Sequence, residues 1–162
     1  MKPSAHAAAG IVLGAGALVV SRDAVVACAA AAAHVLLDVD HAVEHLLQSP
    51  LPFSVSTFLA TENALTWKRL VFFLHGYEWV LLLWAACWLA PQPVLIAIAA
   101  GASSHLLLDE IGNRRPWAPV DLAPPFYFFF YRLVQGFLRS RLTRLRPNRT
   151  INGAPAPEVA GR

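Results

Sequence analysis

Apolar residues along this chain form four long runs separated by short polar segments. The runs cover residues 5–20, 24–47, 70–90 and 93–109. A helix crosses the hydrocarbon core of a bilayer with about 20 mostly apolar residues, or somewhat fewer at the short limit. The pattern therefore predicts an all-α fold, a polytopic transmembrane helical bundle of about four spans.

The chain changes character after the fourth run. Trp117 follows a polar turn, at a position typical of the membrane–water interface. Residues 126–138 are apolar and aromatic but include Arg132 and Gln135, which favours a helix lying in the interface over a fifth span. We predict three regions: a transmembrane domain over residues 1–125, an interfacial basic and aromatic helix over 126–146, and a disordered tail over 147–162.

Composition excludes an ordinary water-soluble domain, because 57% of the residues are hydrophobic and only 14% are charged. From Arg132 onwards the chain has seven arginines and one acid, Glu158. This balance suits an anionic membrane surface better than a nucleic acid. In a four-span topology, the other lysines and arginines fall at the same end of the bundle as this segment, with the exception of Arg22. By the positive-inside rule, the cation-rich end faces the cytoplasm.

Ionisable side chains interrupt the second apolar run. Four of them follow one another at steps of four, three and four: His34, Asp38, His41 and His45. A continuous helix would align these four in one stripe, with Asp40 and Glu44 in a neighbouring stripe. Three of these residues also fit a different role, as polar side chains at the level of the lipid headgroups: Asp40, Glu44 and His45.

Two further pairs combine one imidazole with one carboxylate. His75 and Glu78 have i,i+3 spacing near the start of the third run, and His105 and Asp109 have i,i+4 spacing near the end of the fourth. In a four-span topology the second run ends, the third begins and the fourth ends on the same side of the membrane. The three sets of side chains are therefore predicted to converge at one membrane face.

A bound metal ion explains why a membrane protein would hold so many ionisable groups. One buried carboxylate costs about 2.5 to 3.5 kcal/mol on insertion scales, and a divalent cation compensates several groups at once. Imidazole nitrogens with carboxylate oxygens suit Zn, Mn or Fe, with Zn preferred. The candidate ligands exceed what one ion needs, so the pattern fits one or two ions, the second with a bridging carboxylate. The predicted metal ligands are His34, Asp38, Asp40, His41, His75, His105 and Asp109.

The elements His34-Val35-Leu36-Leu37-Asp38-Val39-Asp40-His41 and His105-Leu106-Leu107-Leu108-Asp109 resemble the YdjM-type family of inner-membrane metal-dependent hydrolases. The likeness covers approximately residues 5–120. It implies metal binding by the His and Asp residues of both elements and a location in the bacterial inner membrane. Between these two elements the family has a third one that contains a histidine, and this chain departs from it. Only His75 matches the family there, so the role of Glu78 is predicted from its spacing to His75 alone.

These observations predict a membrane-bound hydrolase that acts on a lipid or a lipid-linked ester or phosphoester at the cytoplasmic face. The metal would activate water, and Glu78 would be the general base. Membrane lipids are the expected partners. Two other functions use the same residues: an ion or metal transporter, which the near absence of ionisable residues at the opposite end disfavours, and a non-catalytic scaffold with a structural metal.

Overall fold

The computed structural model describes residues 3–49, 53–64, 67–114 and 120–145. The predicted tail, Arg115 and Trp117 lie outside these ranges. The helices are α1 (Pro3–Ser21), α2 (Ala24–Leu36), α3 (Val39–Gln48), α4 (Val55–Ala64), α5 (Tyr77–Leu89), α6 (Pro93–Asn113), α7 (Phe129–Val134) and α8 (Arg139–Leu142). Two short strands, β1 (Val120–Leu122) and β2 (Thr143–Leu145), pair antiparallel. The chain is mostly helical, which confirms the all-α prediction.

Within the described ranges, three helical segments are long and apolar enough to cross a membrane: α1 from Ser4, α2 together with α3, and α6. The third predicted span is only partly helical, because α5 has 13 residues and begins at Tyr77. The segment before it is held in a non-helical path, with a positive φ of 37° at Phe72. Its amides bond to side chains of α3: Leu74 N donates to Asp40 Oδ2 at 2.8 Å and Val71 N to Glu44 Oε1 at 3.4 Å.

Small residues let α2 pack closely between α1 and α6. A Cβ added at Gly101 of α6 would lie 2.5 Å from the carbonyl oxygen of Ala30 in α2. A Cβ at Gly10 of α1 would lie 2.7 Å from Val35 Cγ2. Close backbone approach through small residues is how apolar helices gain packing contacts in a membrane. It brings the first turns of α1 and the last turns of α2 and α6 to the same end of the bundle.

The second apolar run is broken where the metal-site residues begin. Leu37 and Asp38 form a turn between α2 and α3, with i,i+3 bonds from Asp38 N to Val35 O and from His41 N to Asp38 O. The predicted span over 24–47 is therefore present, but this turn divides it into two helices. Both turn residues keep right-handed helical conformations, and Asp38 Oδ1 still lies 3.9 Å from His41 Nε2.

The C-terminal segment folds back on the segment before α5 instead of forming one helix over 126–146. A turn with φ of 66° at Gly136 and 59° at Phe137 separates α7 from α8. Backbone bonds then join the two segments: Leu70 N donates to Phe137 O at 2.8 Å, and Tyr77 N donates to Tyr127 O at 2.9 Å. The buried cluster between them contains Trp67, Leu70, Phe72, Phe126, Tyr127 and Leu142.

Candidate metal centre

Side chains from three separate segments meet at the end of the bundle. His105 and Asp109 project from the last turns of α6, Asp38 from the turn after α2, and His75 from the non-helical segment before α5. Asp38 has a side chain that is 31% exposed, whereas those of the other three are buried. The predicted convergence of these four residues is confirmed by their contacts.

Five of the six distances among four ligand-type atoms of these residues are close to those of a tetrahedral metal site. His75 Nε2 lies 3.1 Å from His105 Nε2. Asp38 Oδ1 lies 3.7 and 3.5 Å from these two nitrogens, and Asp109 Oδ2 lies 3.6 and 3.7 Å from them. Tetrahedral ligands about 2.0 to 2.1 Å from zinc lie roughly 3.3 Å from one another. The four atoms can therefore surround one ion after shifts of a few tenths of an ångström.

The opposite nitrogens of the two imidazoles are held by acceptors. His105 Nδ1 donates to the carbonyl oxygen of His34 at 2.6 Å, and His75 Nδ1 donates to Asp40 Oδ2 at 3.1 Å. With Nδ1 protonated, the neutral rings direct their Nε2 lone pairs towards each other. Ligating histidines commonly donate their other N–H to a carbonyl or a carboxylate in this way. Asp40, predicted as a ligand, lies behind His75 and orients it.

The electrostatics around His75 favour a cation. Burial disfavours the charged imidazolium, but the neighbouring carboxylates of Asp38, Asp40 and Asp109 outweigh burial and raise the pKa of His75 to about 9. The negative potential that retains a proton also attracts a metal ion, and the two compete for Nε2.

His41 adds a nitrogen on the more exposed side of the cluster. Its Nε2 lies 3.3 Å from His75 Nε2 and 3.9 Å from Asp38 Oδ1. Asp38, His41 and His75 thus form a second group whose ligand atoms all lie within 4.8 Å of one another. The His41 side chain is 16% exposed, so this side of the cluster is the one that water reaches.

His34 and His6 line the other side. His34 Nδ1 lies 2.7 Å from Ser104 Oγ, which donates to Gly101 O at 2.9 Å. His6 Nε2 lies 2.9 Å from Asp109 Oδ1, and its ring stacks on that of His105 with centroids 4.0 Å apart. The sequence prediction omitted His6 because no acid lies at helical spacing from it. The signal was the imidazole itself, since an ionisable residue inside an apolar span is a candidate site residue.

Three acidic or imidazole groups of the predicted clusters lie away from this centre. Both Glu78 oxygens accept backbone amides, from Phe129 at 2.9 Å and Phe130 at 3.0 Å, so Glu78 caps α7. Glu44 bonds to Gln48, and the His45 ring meets the edges of Phe and Trp rings. The structure does not bring Glu78 to the metal cluster, and its role as a base stays a prediction.

Arg132 supports the centre from the C-terminal segment. Its guanidinium is fully buried and donates to the carbonyl oxygens of Phe126 at 2.7 Å, His75 at 2.8 Å and Phe72 at 3.0 Å. Burial lowers the pKa of Arg132 to about 10, so the side chain stays charged at neutral pH. Two of its three acceptors belong to the segment that presents His75. The sequence indicated Arg132 only as an interruption of an apolar stretch.

The described residues define a class of protein: a mostly helical chain with three helices able to span a membrane and buried His/Asp groups that can hold a metal ion. Comparison with known protein families, with curated proteins and with solved structures gives no match. The resemblance to the YdjM-type family therefore stays a prediction.

Proposed function

We propose that this chain is a membrane-bound, metal-dependent hydrolase that acts on a lipid or a lipid-linked ester or phosphoester. The observation that carries the proposal is the tetrahedral spacing of His75 Nε2, His105 Nε2, Asp38 Oδ1 and Asp109 Oδ2. Two imidazoles and two carboxylates suit Zn best, with Mn or Fe as alternatives. Such an ion supplies Lewis acidity and a bound water of lowered pKa.

The exposure of the cluster supports a catalytic role. Asp38 and His41 form its accessible side, so water would approach there. His41 is not needed to complete the tetrahedron, and its Nε2 is close to the donor atoms on this side. Glu78 is occupied as the cap of α7. We therefore assign proton transfer from the attacking water to His41, in place of Glu78.

The surroundings of the cluster support a lipid substrate. An apolar groove of about 410 Å³ runs beside the site and is lined by Ala8, Val12, Leu13, His34, Ser104 and Leu108. Its walls come from α1, α2 and α6, which belong to the three helical segments that can span a membrane. An alkyl chain lying in this groove would hold its polar end next to the metal cluster.

The proposed setting is the bacterial inner membrane, with α5 as a fourth, shorter span and the site at the cytoplasmic face. Lys68 and Arg69 lie on the segment that leads to His75, and Arg69 forms a backbone bridge with Leu138. Arg141 and Arg144 are exposed and lie on the C-terminal segment that contains Leu138. These cations would contact anionic headgroups, with the C-terminal segment in the interface.

A structural metal is the second candidate function. Four protein atoms from three separate segments would surround such an ion, as in structural zinc sites. An ion held only in this way would join α2, α6 and the segment before α5 without performing chemistry.

Hydrolysis assays on detergent-purified protein separate the two candidates. Phospholipids and lipid-linked phosphates are offered to the wild type, to His41→Gln and to His45→Gln, a control outside the cluster, each with and without a chelator. The hydrolase proposal expects chelator-sensitive turnover that falls at least 100-fold in His41→Gln and stays within about twofold in the control. Metal-loaded protein with no turnover on either lipid class would favour the structural metal.

A further inference from the structure

We propose a second cation subsite, held by His6 and His34 and joined to the first by Asp109 as a bridging carboxylate. This inference depends on the metal centre of the proposed function, and it gives that centre a preference for phosphoesters.

Asp109 has the geometry of a bridging ligand. Its Oδ2 faces the first subsite, at 3.6 Å from His75 Nε2 and 3.7 Å from His105 Nε2. Its Oδ1 faces the other way, at 2.9 Å from His6 Nε2. A carboxylate whose two oxygens face different imidazoles can hold two ions about 3.5 to 4 Å apart. Widening the Oδ1–Nε2 distance by a few tenths of an ångström would admit an ion between them.

His34 supplies an unused nitrogen beside this pair. Its side chain is fully buried, and within the described ranges its Nε2 has no hydrogen-bond partner. The hydroxyl of Ser104 donates to Gly101 O and therefore accepts from Nδ1, which leaves a lone pair on Nε2. A buried polar atom without a partner costs about 1 to 3 kcal/mol, and a cation would satisfy it.

The imidazoles on this side are close enough to share an ion. His6, His34 and His105 each offer a ligand atom, and these atoms lie within 4.8 Å of one another. The rings of His6 and His34 have centroids 5.5 Å apart. His105 Nε2 belongs to the first subsite, so the second would draw on His6 and His34, and Asp109 Oδ1 would reach it through its contact with His6 Nε2.

Two ions change the chemistry that the centre supports. A pair of cations stabilises both the attacking and the leaving oxygen of an in-line displacement at phosphorus. The substrate class that follows is a lipid phosphoester, whose anionic oxygens would contact both ions. A lipid carboxylic ester would use the first ion alone.

Metal analysis of the full chain in detergent tests the proposal. After incubation with Zn²⁺ and removal of excess ion, we expect two ions per chain in the wild type and one each in His6→Gln and His34→Gln. The control His45→Gln, a buried imidazole outside the cluster, should keep two. One ion per chain in both the wild type and His6→Gln would overturn the second subsite and leave His6 as a hydrogen-bond partner of Asp109. No ion in the wild type would instead refute the metal centre itself.

A spectroscopic readout keeps the test decisive if a His6 variant fails to fold. Wild-type protein loaded with Mn²⁺ should give the electron paramagnetic resonance spectrum of an exchange-coupled pair. Fully loaded wild type that shows only isolated Mn²⁺ would contradict the bridging role of Asp109.

Discussion

Replacing Arg132 with methionine keeps the size of the side chain but removes a buried cation. The guanidinium donates to three carbonyls, those of Phe72, His75 and Phe126. Each buried carbonyl that loses its donor costs about 1 to 3 kcal/mol, or roughly 3 to 9 kcal/mol for three. Relief from burying a charge offsets several kcal/mol of this cost. We expect a net loss of about 3 kcal/mol in the free energy of unfolding.

This loss has two measurable consequences. For a chain of this length it lowers the Tm by about 6 to 12 °C. It also frees the segment that presents His75, so metal affinity should fall about 10- to 100-fold, as for other residues that orient a ligand. Thermal unfolding in detergent and competition with a chromophoric chelator measure the two effects.

Matched variants show whether the buried hydrogen bonds are responsible. Arg132→Lys retains a charge and can donate to some of the same carbonyls, so it should fall between the wild type and Arg132→Met. Arg114, whose side chain is 53% exposed and pairs with Glu110, offers a control cation. Arg114→Met should change stability by less than about 1 kcal/mol. An Arg132→Met protein with wild-type Tm and wild-type metal affinity would refute the reasoning.

Three further substitutions test separate parts of the structure. Asp40→Asn removes the carboxylate behind His75 and should weaken metal binding about 10- to 100-fold by chelator competition; unchanged affinity would show that Asp40 does not orient the ligand. Glu78→Gln should lower stability by about 1 kcal/mol in thermal unfolding through the α7 cap, with metal content unchanged, and a loss of bound metal would contradict the capping role. Gly101→Ala places a Cβ 2.5 Å from a backbone oxygen of α2, so it should lower the free energy of unfolding by about 1 to 3 kcal/mol and the Tm with it. Gly16→Ala is the control, because the space around its Cβ is open, and it should leave the Tm unchanged. Equal Tm values for the two glycine variants would refute the close packing of α2 and α6.

Much of the metal centre follows from local patterns in the chain. Apolar runs position α1, α2 and α6, and the i,i+4 spacing of His105 and Asp109 puts both on one face of α6. Topology then brings His75 and Asp38 to the same end. These inferences need only helical periodicity and the length of a span, so the sequence could provide them.

What the sequence could not provide depends on contacts between distant residues. His6 meets Asp109, which is 103 positions away, and no spacing rule connects them. The turn at Asp38 lies in a stretch, residues 34–41, that contains no glycine or proline to mark a break, so periodicity predicts a straight helix there. The role of Arg132 could not be predicted for the same reason, because it donates to carbonyl groups whose positions only the folded chain defines.

The central claim is that His75, His105, Asp38 and Asp109 hold one divalent ion in a tetrahedral arrangement. Titration of the metal-free wild type with Co²⁺, followed by visible absorption, tests it most directly. We expect the first equivalent to bind with the intense visible bands of tetrahedral Co²⁺, and these bands to be absent from His105→Ala but retained in His45→Ala. A wild type that binds no Co²⁺, or binds it only with the weak spectrum of octahedral coordination, would contradict the claim.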